Sequence, residues 1–441
     1  MSLSGRYFLE TYGCQMNEHD SEKICELMEN VGFEQCNSAD LADLVIINTC
    51  AIRGKAEHKV YSSLGKLRMA KRKNPNLITV VTGCVAQQQK EELSKKFGHL
   101  DLVLGTHHIS DLPVLVERIR NSHERLVEVD LKNDIESLHM VAPRRGPRPI
   151  CSYVTIMQGC SNFCAYCVVP YTRGKEQSRS YEEICEEVTR LCCNGVKEIT
   201  LLGQNVNAFG KDLGLKNGFT DLLRRLSQIP GLERIRFTTS HPRDFDPSLA
   251  DAMGALDRVC EHIHLALQSG SDRVLHLMKR GYTFSDYFEK ITILRNKVPE
   301  CSITTDMIVG FPGESEKDFE ETLAALEKIR FDQIFSFKFS PRPGTVAEQM
   351  PDQIPEEIKK ERLARVHAVQ DRITEDYHRQ MEGSVFEVLV EGCGKLDDQF
   401  FGRTRSNKIV NFSNSRNHQI GDVVDVKILR GLKHSLLGEI A

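Results

Sequence analysis

No uninterrupted apolar run in this sequence approaches the roughly 18 residues that a membrane-spanning helix requires. Its start, MSLSGRYFLE, also lacks the apolar core of a secretory signal. Both absences point to a cytoplasmic protein whose thiols stay reduced. A basic excess is missing too. The formal net charge is -4, so any contact with nucleic acid has to come from local patches and not from an overall electrostatic coat. The most specific absence lies in the stretch QGCSNFCAYCVVP, where Cys160, Cys164 and Cys167 are followed by no further Cys or His before Tyr181. A closed structural zinc site takes four protein ligands, so this trio either recruits a distant partner or leaves one coordination position open.

What is present begins with length. The 441 residues are too many for one ordinary core and suggest about three domains. The 15 cysteines, in a reducing compartment, read as ligands or catalysts where they cluster and as small buried hydrophobes where they are scattered. Cys25, Cys36, Cys151, Cys185, Cys192, Cys193, Cys260, Cys301 and Cys393 fall in the second class.

Residues 1–125 alternate strand-like and helix-like segments: RYFLETYG, a helical run from Ser21 to Val31, DLVIINT, a basic helix, LITVVTG and LDLVLGT. That alternation predicts an open parallel α/β sheet. Three of its strands end at a cysteine, namely Cys14, Cys50 and Cys84. The carboxyl ends of parallel strands form a ligand crevice, so these cysteines can converge on one point despite their separation in sequence. The flanking GCQMN and TGCVAQ carry a glycine that lets backbone approach a bound group. Before Cys50, Asn48 and Thr49 supply turn and cap residues.

The Pro/Arg-rich APRRGPRP, Ala142 to Pro149, cannot continue a helix or a central strand, and residues 126–148 are expected to be a linker. From 149 to 377 a strand-and-helix unit repeats six times, in SYVTIMQG, KEITLLGQ, RIRFTTSH, HIHLALQSG, SITTDMIVGFPG and FDQIFSFKFSPRPG. Six such units make an incomplete (β/α)6 version of the eightfold barrel, with its site at the strand carboxyl ends. Gln204, Asn205, His241, Gln268 to Gly270 and Gly310 to Glu314 fall there. His241 reads as a strand-end packing residue, not a base. After a charged helix, residues 378–441 change texture. SVFEVLVEG, QFFGRTRSNKIVNF and GDVVDVKILRG are short alternating strands with glycine turns, which predicts a small all-β, OB-like barrel. Lys395, Arg403, Arg405, Lys408 and Arg416 lie near Phe400, Phe401 and Phe412, a mixture suited to RNA backbone contact and base stacking, although Asp397, Asp398, Asp422 and Asp425 dilute it.

Three thiolates on one loop suit a 4Fe–4S cube with one iron left free, because thiolate is the soft ligand such clusters take. Phe163 and Tyr166 are expected to shield it, and Arg173 and Lys175 to offset its charge. A Cys-x3-Cys-x2-Cys loop with an aromatic before its last cysteine, on the first strand of a six-unit barrel, resembles the radical S-adenosylmethionine superfamily. End to end, the chain is similar to the methylthiotransferase family of that superfamily, whose C-terminal barrel is a TRAM domain.

The resemblance implies that S-adenosylmethionine chelates the open iron and is cleaved by one electron to methionine and a 5′-deoxyadenosyl radical. It implies that Cys14, Cys50 and Cys84 hold a second, auxiliary 4Fe–4S cluster at which the transferred sulfur is methylated. It also implies that Gln204, Asn205, Gln268, Ser269, Asp306 and Gly313 line the S-adenosylmethionine pocket. TYGCQMNEHDSE, CVVPYTRGKEQSR and QSGSDRVLHLMKRGYT most resemble the MiaB type, which adds a methylthio group at C2 of N6-isopentenyladenosine beside the tRNA anticodon. One S-adenosylmethionine would donate the methyl group and a second the radical, and no classical catalytic base is expected. The implied partners are tRNA, an electron donor such as flavodoxin or ferredoxin, and an unidentified sulfur donor, with the chain acting as a monomer. Two alternatives keep the chemistry and change the target, to threonylcarbamoyladenosine in tRNA or to an aspartate of a ribosomal protein. A third is an iron–sulfur RNA-binding or redox-sensing protein without turnover.

Overall fold

A computed structural model describes residues 4–51, 54–133, 136–139, 150–394, 398–413 and 418–441. The expected linker stretch 142–149 and the expected RNA contacts Lys395 and Arg416 lie outside these residues.

The N-terminal strands are β1 Gly5–Thr11, β2 Phe33–Gln35, β3 Leu44–Thr49, β4 Ile78–Gly83, β5 Leu102–Leu104 and β6 Leu126–Glu128. They pair in parallel in the order β2-β1-β3-β4-β5-β6. Every residue of β3 and β4 is buried. The reason is a helical layer on each face. Helices α1 Gln15–Asn30 and α4 Leu112–Ser122 set Ile24, Met28 and Val116 against Tyr7, Leu44 and Ile46. Helices α2 Gly54–Lys73 and α3 Cys84–Lys96 set Val60, Leu64 and Leu93 against Val45, Ile47 and Val81. Alternate residues of β3 thus enter opposite cores, and a strand covered on both faces reads as a continuous apolar run. The sheet takes in Leu126–Glu128, one strand past the boundary expected at residue 125.

All six expected barrel strands form: β7 Cys151–Thr155, then, beyond a short antiparallel pair β8 Met157–Gln158 and β9 Gln177–Ser178, β10 Glu198–Leu202, β11 Arg234–Phe237, β12 His262–His264, β13 Ser302–Val309 and β14 Gln333–Lys338. They run parallel in two groups of three, joined by the bridges Ile235↔Val259 and Ser240↔Leu265. The barrel stays open between β7 and β14.

The last domain is a closed barrel of β15 Val385–Cys393, β16 Gln399–Thr404, β17 Ile409–Ser413, β18 Val423–Gly431 and β19 Leu436–Ile440. QFFGRTRSNKIVNF, read as one segment, folds as two strands about a turn in which Asn407 takes a φ of 65°. The closing strand LLGEI has no counterpart in the sequence reading. The β16–β17 turn docks at the amino ends of the open barrel's strands. Buried Arg234 donates to the Arg403 carbonyl at 2.8 Å, and buried Arg236 donates to the Thr404 and Arg405 carbonyls at 2.8 Å each.

Candidate active site

β1, β3 and β4 are neighbours whose ends align, with Thr11 opposite Asn48 and Thr49 opposite Gly83. Cys50 and Cys84 follow β3 and β4 directly, Cys14 lies three residues past the end of β1, and the aligned ends bring the three together. Cys14 caps α1 and Cys84 opens α3, so two of the sulfurs sit at helix N-termini, where the aligned peptide dipoles favour thiolate. A buried amide lattice fixes the loops: Asn17 Nδ2 donates to Asn48 Oδ1 and to the Thr49 carbonyl at 3.0 Å each, and Asn48 Nδ2 returns a bond of 2.8 Å to the Asn17 carbonyl. Gly83 has a φ of +90°, and a Cβ there would stand 2.3 Å from the Thr49 carbonyl, so only glycine lets the two strand ends approach this closely. A hydrogen bond with Cys50, helped by the charge of Arg173, pulls the Cys14 thiol down to about 6 despite its burial. Burial pushes Cys84 up.

Cys160, Cys164 and Cys167 lie on the loop between β8 and β9. Its entry is Gly159, with a φ of +82°, where a Cβ would stand 2.0 Å from the Lys175 carbonyl. The Cys160 amide donates to the Gly174 carbonyl at 3.1 Å and the Cys167 amide to the Cys164 carbonyl at 3.0 Å. Burial first, and then the Glu176 carboxylate and Cys164, push Cys160 up to about 11; burial and the two neighbouring thiols push Cys167 up to about 12. Arg280 is 3% exposed, with Nη1 3.3 Å from Cys164 Sγ, Nε donating to the Tyr282 hydroxyl at 2.9 Å and Nη2 to the Ala266 carbonyl at 2.7 Å. Among the described residues no carboxylate pairs with it. A buried cation without counter-charge is costly, and an anionic group held by the loop would supply the missing charge. Tyr166 is half-buried with its hydroxyl 3.4 Å from Arg280. Phe163, expected to shield the loop, is 48% exposed at a φ of 46° and stands edge-on to the exposed Tyr171.

Arg173, expected to serve this loop, turns to the other site and forms a buried pair with Asp20 at 2.6 Å, while Lys175 is exposed. Val168, next to Cys167, packs against Ala51, Cys84 and Val85, so the radical loop touches the N-terminal trio's own surroundings. Among the described residues, the acidic or sulfur groups drawn within 4.8 Å of one another are His108, Glu128 and Asp130, and Cys151, Glu198 and Glu391; neither trio is that tight. Three spread thiols facing a buried guanidinium fit a polynuclear anionic cluster better than a single ion.

Of the expected S-adenosylmethionine contacts, Gln204 Oε1 accepts from the Gly159 amide at 2.5 Å, beside the cysteine loop. Asn205 is buried, donating to Asp244 at 2.7 Å and accepting from the His241 amide at 3.2 Å. Gln268 holds a φ of 73°, and its buried side-chain oxygen has no partner among the described residues. Asp306 faces His264 at 3.2 Å. Ser269 and Gly313 do other work: Ser269 meets the Thr322 hydroxyl at 3.2 Å, and Gly313 forms a turn whose amide donates to the Asp352 carbonyl at 2.9 Å. His241 caps the turn Pro242–Asp244 by accepting from the Arg243 amide at 3.1 Å, as a strand-end residue should.

The expected RNA patch is largely drawn into the domain junction. Arg405 grips Glu261 with two arms at 2.7 and 2.9 Å, Lys408 pairs with Asp332 at 2.6 Å, and Arg403 with Glu391 at 3.2 Å. Glu261 and Asp332, at the amino ends of β12 and β14, claim Arg405 and Lys408 once the turn docks, while Glu391 pairs with Arg403 within the small barrel itself. Phe412 lies in the core of the small barrel, not on its surface. Sequence reasoning missed Arg280, Asn17, Asp20 and His107; no spacing marks any of them. Of the scattered cysteines, Cys260 and Cys301 are buried, Cys193 and Cys393 exposed, and the rest intermediate. Among the described residues no helix is long and apolar enough to cross a membrane.

Comparison with known proteins adds three family matches: uncharacterized protein family UPF0004 over residues 6–105, the radical SAM superfamily over 154–326 and the TRAM domain over 379–441. A tRNA-2-methylthio-N(6)-dimethylallyladenosine synthase of Syntrophus aciditrophicus (strain SB) is 49% identical over 98% of this chain and 94% of its own length. An enzyme of the same name from Carboxydothermus hydrogenoformans is 45% identical over 98% of each chain. Among solved structures, the radical S-adenosylmethionine methyltransferase TsrM from Kitasatospora setae, with cobalamin and a 4Fe-4S cluster bound, shares the fold at a TM-score of 0.57 and 14% identity, covering 78% of this chain and 74% of that one.

Proposed function

The chain belongs to the family of tRNA-2-methylthio-N(6)-dimethylallyladenosine synthases, and from that membership we propose how its residues divide the work. It is a radical S-adenosylmethionine enzyme that methylthiolates C2 of N6-dimethylallyladenosine in tRNA, and it uses an iron–sulfur cluster and S-adenosylmethionine. On our reading Cys160, Cys164 and Cys167 hold the 4Fe–4S cluster that engages S-adenosylmethionine, and Cys14, Cys50 and Cys84 hold a second one. Bound there, cluster and S-adenosylmethionine supply hydrogen-atom abstraction, which an unactivated adenine C2–H requires and no general base provides. A second S-adenosylmethionine would supply the methyl group.

The chain's own part is charge and position. Arg280 sets a buried positive charge against Cys164 of the radical loop, and Gln204 fixes the entry of that loop through the Gly159 amide. Asn205 and Gln268 stand past the carboxyl ends of β10 and β12, and Asp306 lies within β13, on what we read as the S-adenosylmethionine side. Phe163 and Tyr171 offer an exposed aromatic edge at the mouth. In the small barrel, the Arg405 and Lys408 side chains orient the domain by docking it and Arg403 is held by Glu391 of the same barrel, which leaves Lys395 and Arg416 of the expected set as its candidate tRNA contacts. An electron donor such as flavodoxin or ferredoxin, a cytoplasmic location and a monomeric state complete the proposal. The observation that carries it is that Val168, the residue after Cys167, packs against Cys84 of the N-terminal trio.

Mass spectrometry of tRNA nucleosides from cells with and without the protein tests it. The methylthio form of N6-isopentenyladenosine should vanish without the protein and return with it. Loss of a methylthiolated threonylcarbamoyladenosine instead would move the target, and an unchanged nucleoside profile would overturn the function.

A further inference from the structure

Arg173 belongs to the radical domain yet serves the cysteines of the other domain. It follows the short helix Val169–Thr172 that leaves Cys167 and is 2% exposed. Its Nη2 donates to Asp20 of α1 at 2.6 Å, in a pair buried on both sides. Its Nη1 is buried with no hydrogen-bond partner among the described residues, and the guanidinium borders Cys84 and Cys14. The backbone around it is gripped from two sides. From the N-terminal domain, Thr106 Oγ1 donates to the Thr172 carbonyl at 2.6 Å and His107 Nε2 to the Arg173 carbonyl at 3.0 Å. From the radical loop, the Cys160 amide donates to the Gly174 carbonyl at 3.1 Å. Gly174 itself has a φ of +77°, which favours glycine, and a Cβ there would crowd the His107 ring at 3.1 Å. Buried, orphaned N–H groups are rare in folded proteins, and one on a guanidinium that borders two of the three thiols calls for an acceptor there.

We propose that Arg173 is a positioning residue of the N-terminal cysteine site, donating through Nη1 to a sulfur of the group held by Cys14, Cys50 and Cys84, so that this site is complete only when the radical domain is docked. The proposal rests on the reading that this trio holds an iron–sulfur cluster. A guanidinium fork can keep Asp20 on one nitrogen and reach the sulfur with the other, which a lysine ammonium cannot do at once. A cation and a hydrogen bond at cluster sulfur favour the reduced, more negative state and so raise the reduction potential.

The test uses full-length protein in which Cys160, Cys164 and Cys167 are replaced by Ala, so that only N-terminal iron reports. After anaerobic reconstitution, iron content and an EPR-monitored redox titration are compared for this parent and for R173Q and R173K made in it. We expect iron to be retained and the reduction equilibrium of R173Q to move at least tenfold toward the oxidised form, 59 mV more negative for one electron, with a smaller shift of the same sign in R173K. Iron retained with potentials equal to the parent's would reduce Arg173 to a docking residue and overturn the proposal. Should R173Q fail to fold, R173K decides alone by the same criterion. Absence of iron from the parent would overturn the cluster reading itself, and the proposal with it.

Discussion

Two trios of cysteines reach the same end by opposite routes. Cys160, Cys164 and Cys167 are neighbours in sequence and need only a loop. Cys14, Cys50 and Cys84 are separated by whole strands and helices and need a finished parallel sheet. The difference shows in their electrostatics. The sheet-built site is framed by two helix N-termini and an amide lattice, and there the hydrogen bond with Cys50 holds Cys14 near 6 although burial pushes Cys84 up. The loop-built site has thiols pushed up to about 11 and 12 by burial, and it waits for a charge to balance Arg280. A site assembled from distant strands inherits its rigidity from the fold, whereas a contiguous loop acquires order from what it binds.

The largest expected effect separates the trios by function. Cys164→Ala should form no 5′-deoxyadenosine under reducing conditions, while Cys50→Ala should form it and yet yield no methylthio product, both read by liquid chromatography and mass spectrometry. A Cys50→Ala protein that modifies tRNA near the wild-type rate would make the N-terminal trio structural and end the comparison.

Next in size is Arg280→Gln. Outer partners of metal ligands typically contribute about 10- to 100-fold in affinity or activity, so 5′-deoxyadenosine formation should fall by that order while N-terminal iron stays. Equal loss of iron from both sites would show that Arg280 supports the whole fold and not the radical loop.

The smallest effect compares two buried histidines, one beside each site. His107 donates to the Arg173 carbonyl, and His241 caps the turn after β11. Burial holds His107 below its usual pKa and pulls His241 down to about 2. Their folded pKa values lie below the unfolded value of about 6.5, so this stability is present above that pH and is lost as pH falls below it, at up to about 1.4 kcal/mol per pH unit for each histidine. Between pH 7 and 5 the thermal midpoint should fall, and less steeply in His241→Asn, which keeps a capping acceptor. Identical slopes would show that His241 takes up its proton without opening the fold.

The same contrast explains what could be read from the chain alone. The radical loop is legible because its spacing is local, and the N-terminal site because β1, β3 and β4 announce themselves as apolar runs that end at cysteines. The six barrel strands are legible for the same reason. The directions of long polar side chains are not. Arg173 sits six residues past Cys167 but pairs with Asp20, 153 positions away, a choice made only when the domains dock. Arg405 and Lys408 look like an RNA patch until Glu261 and Asp332 arrive from the barrel. Ser269 and Gly313 share a strand-end neighbourhood with Gln268, yet a helix face and a turn claim them. The strand Leu436–Ile440 escaped because its role is to close a barrel, a demand that comes from strands far from it in sequence.

The central claim is that the chain holds two separate clusters, and an iron count tests it most directly. Reconstituted anaerobically, the protein should carry about eight irons per chain, four in each cube. The variant with Cys160, Cys164 and Cys167 replaced by Ala should keep about half of them, and so should the variant lacking Cys14, Cys50 and Cys84. Loss of all iron, or of none, in either variant would contradict the two-site account.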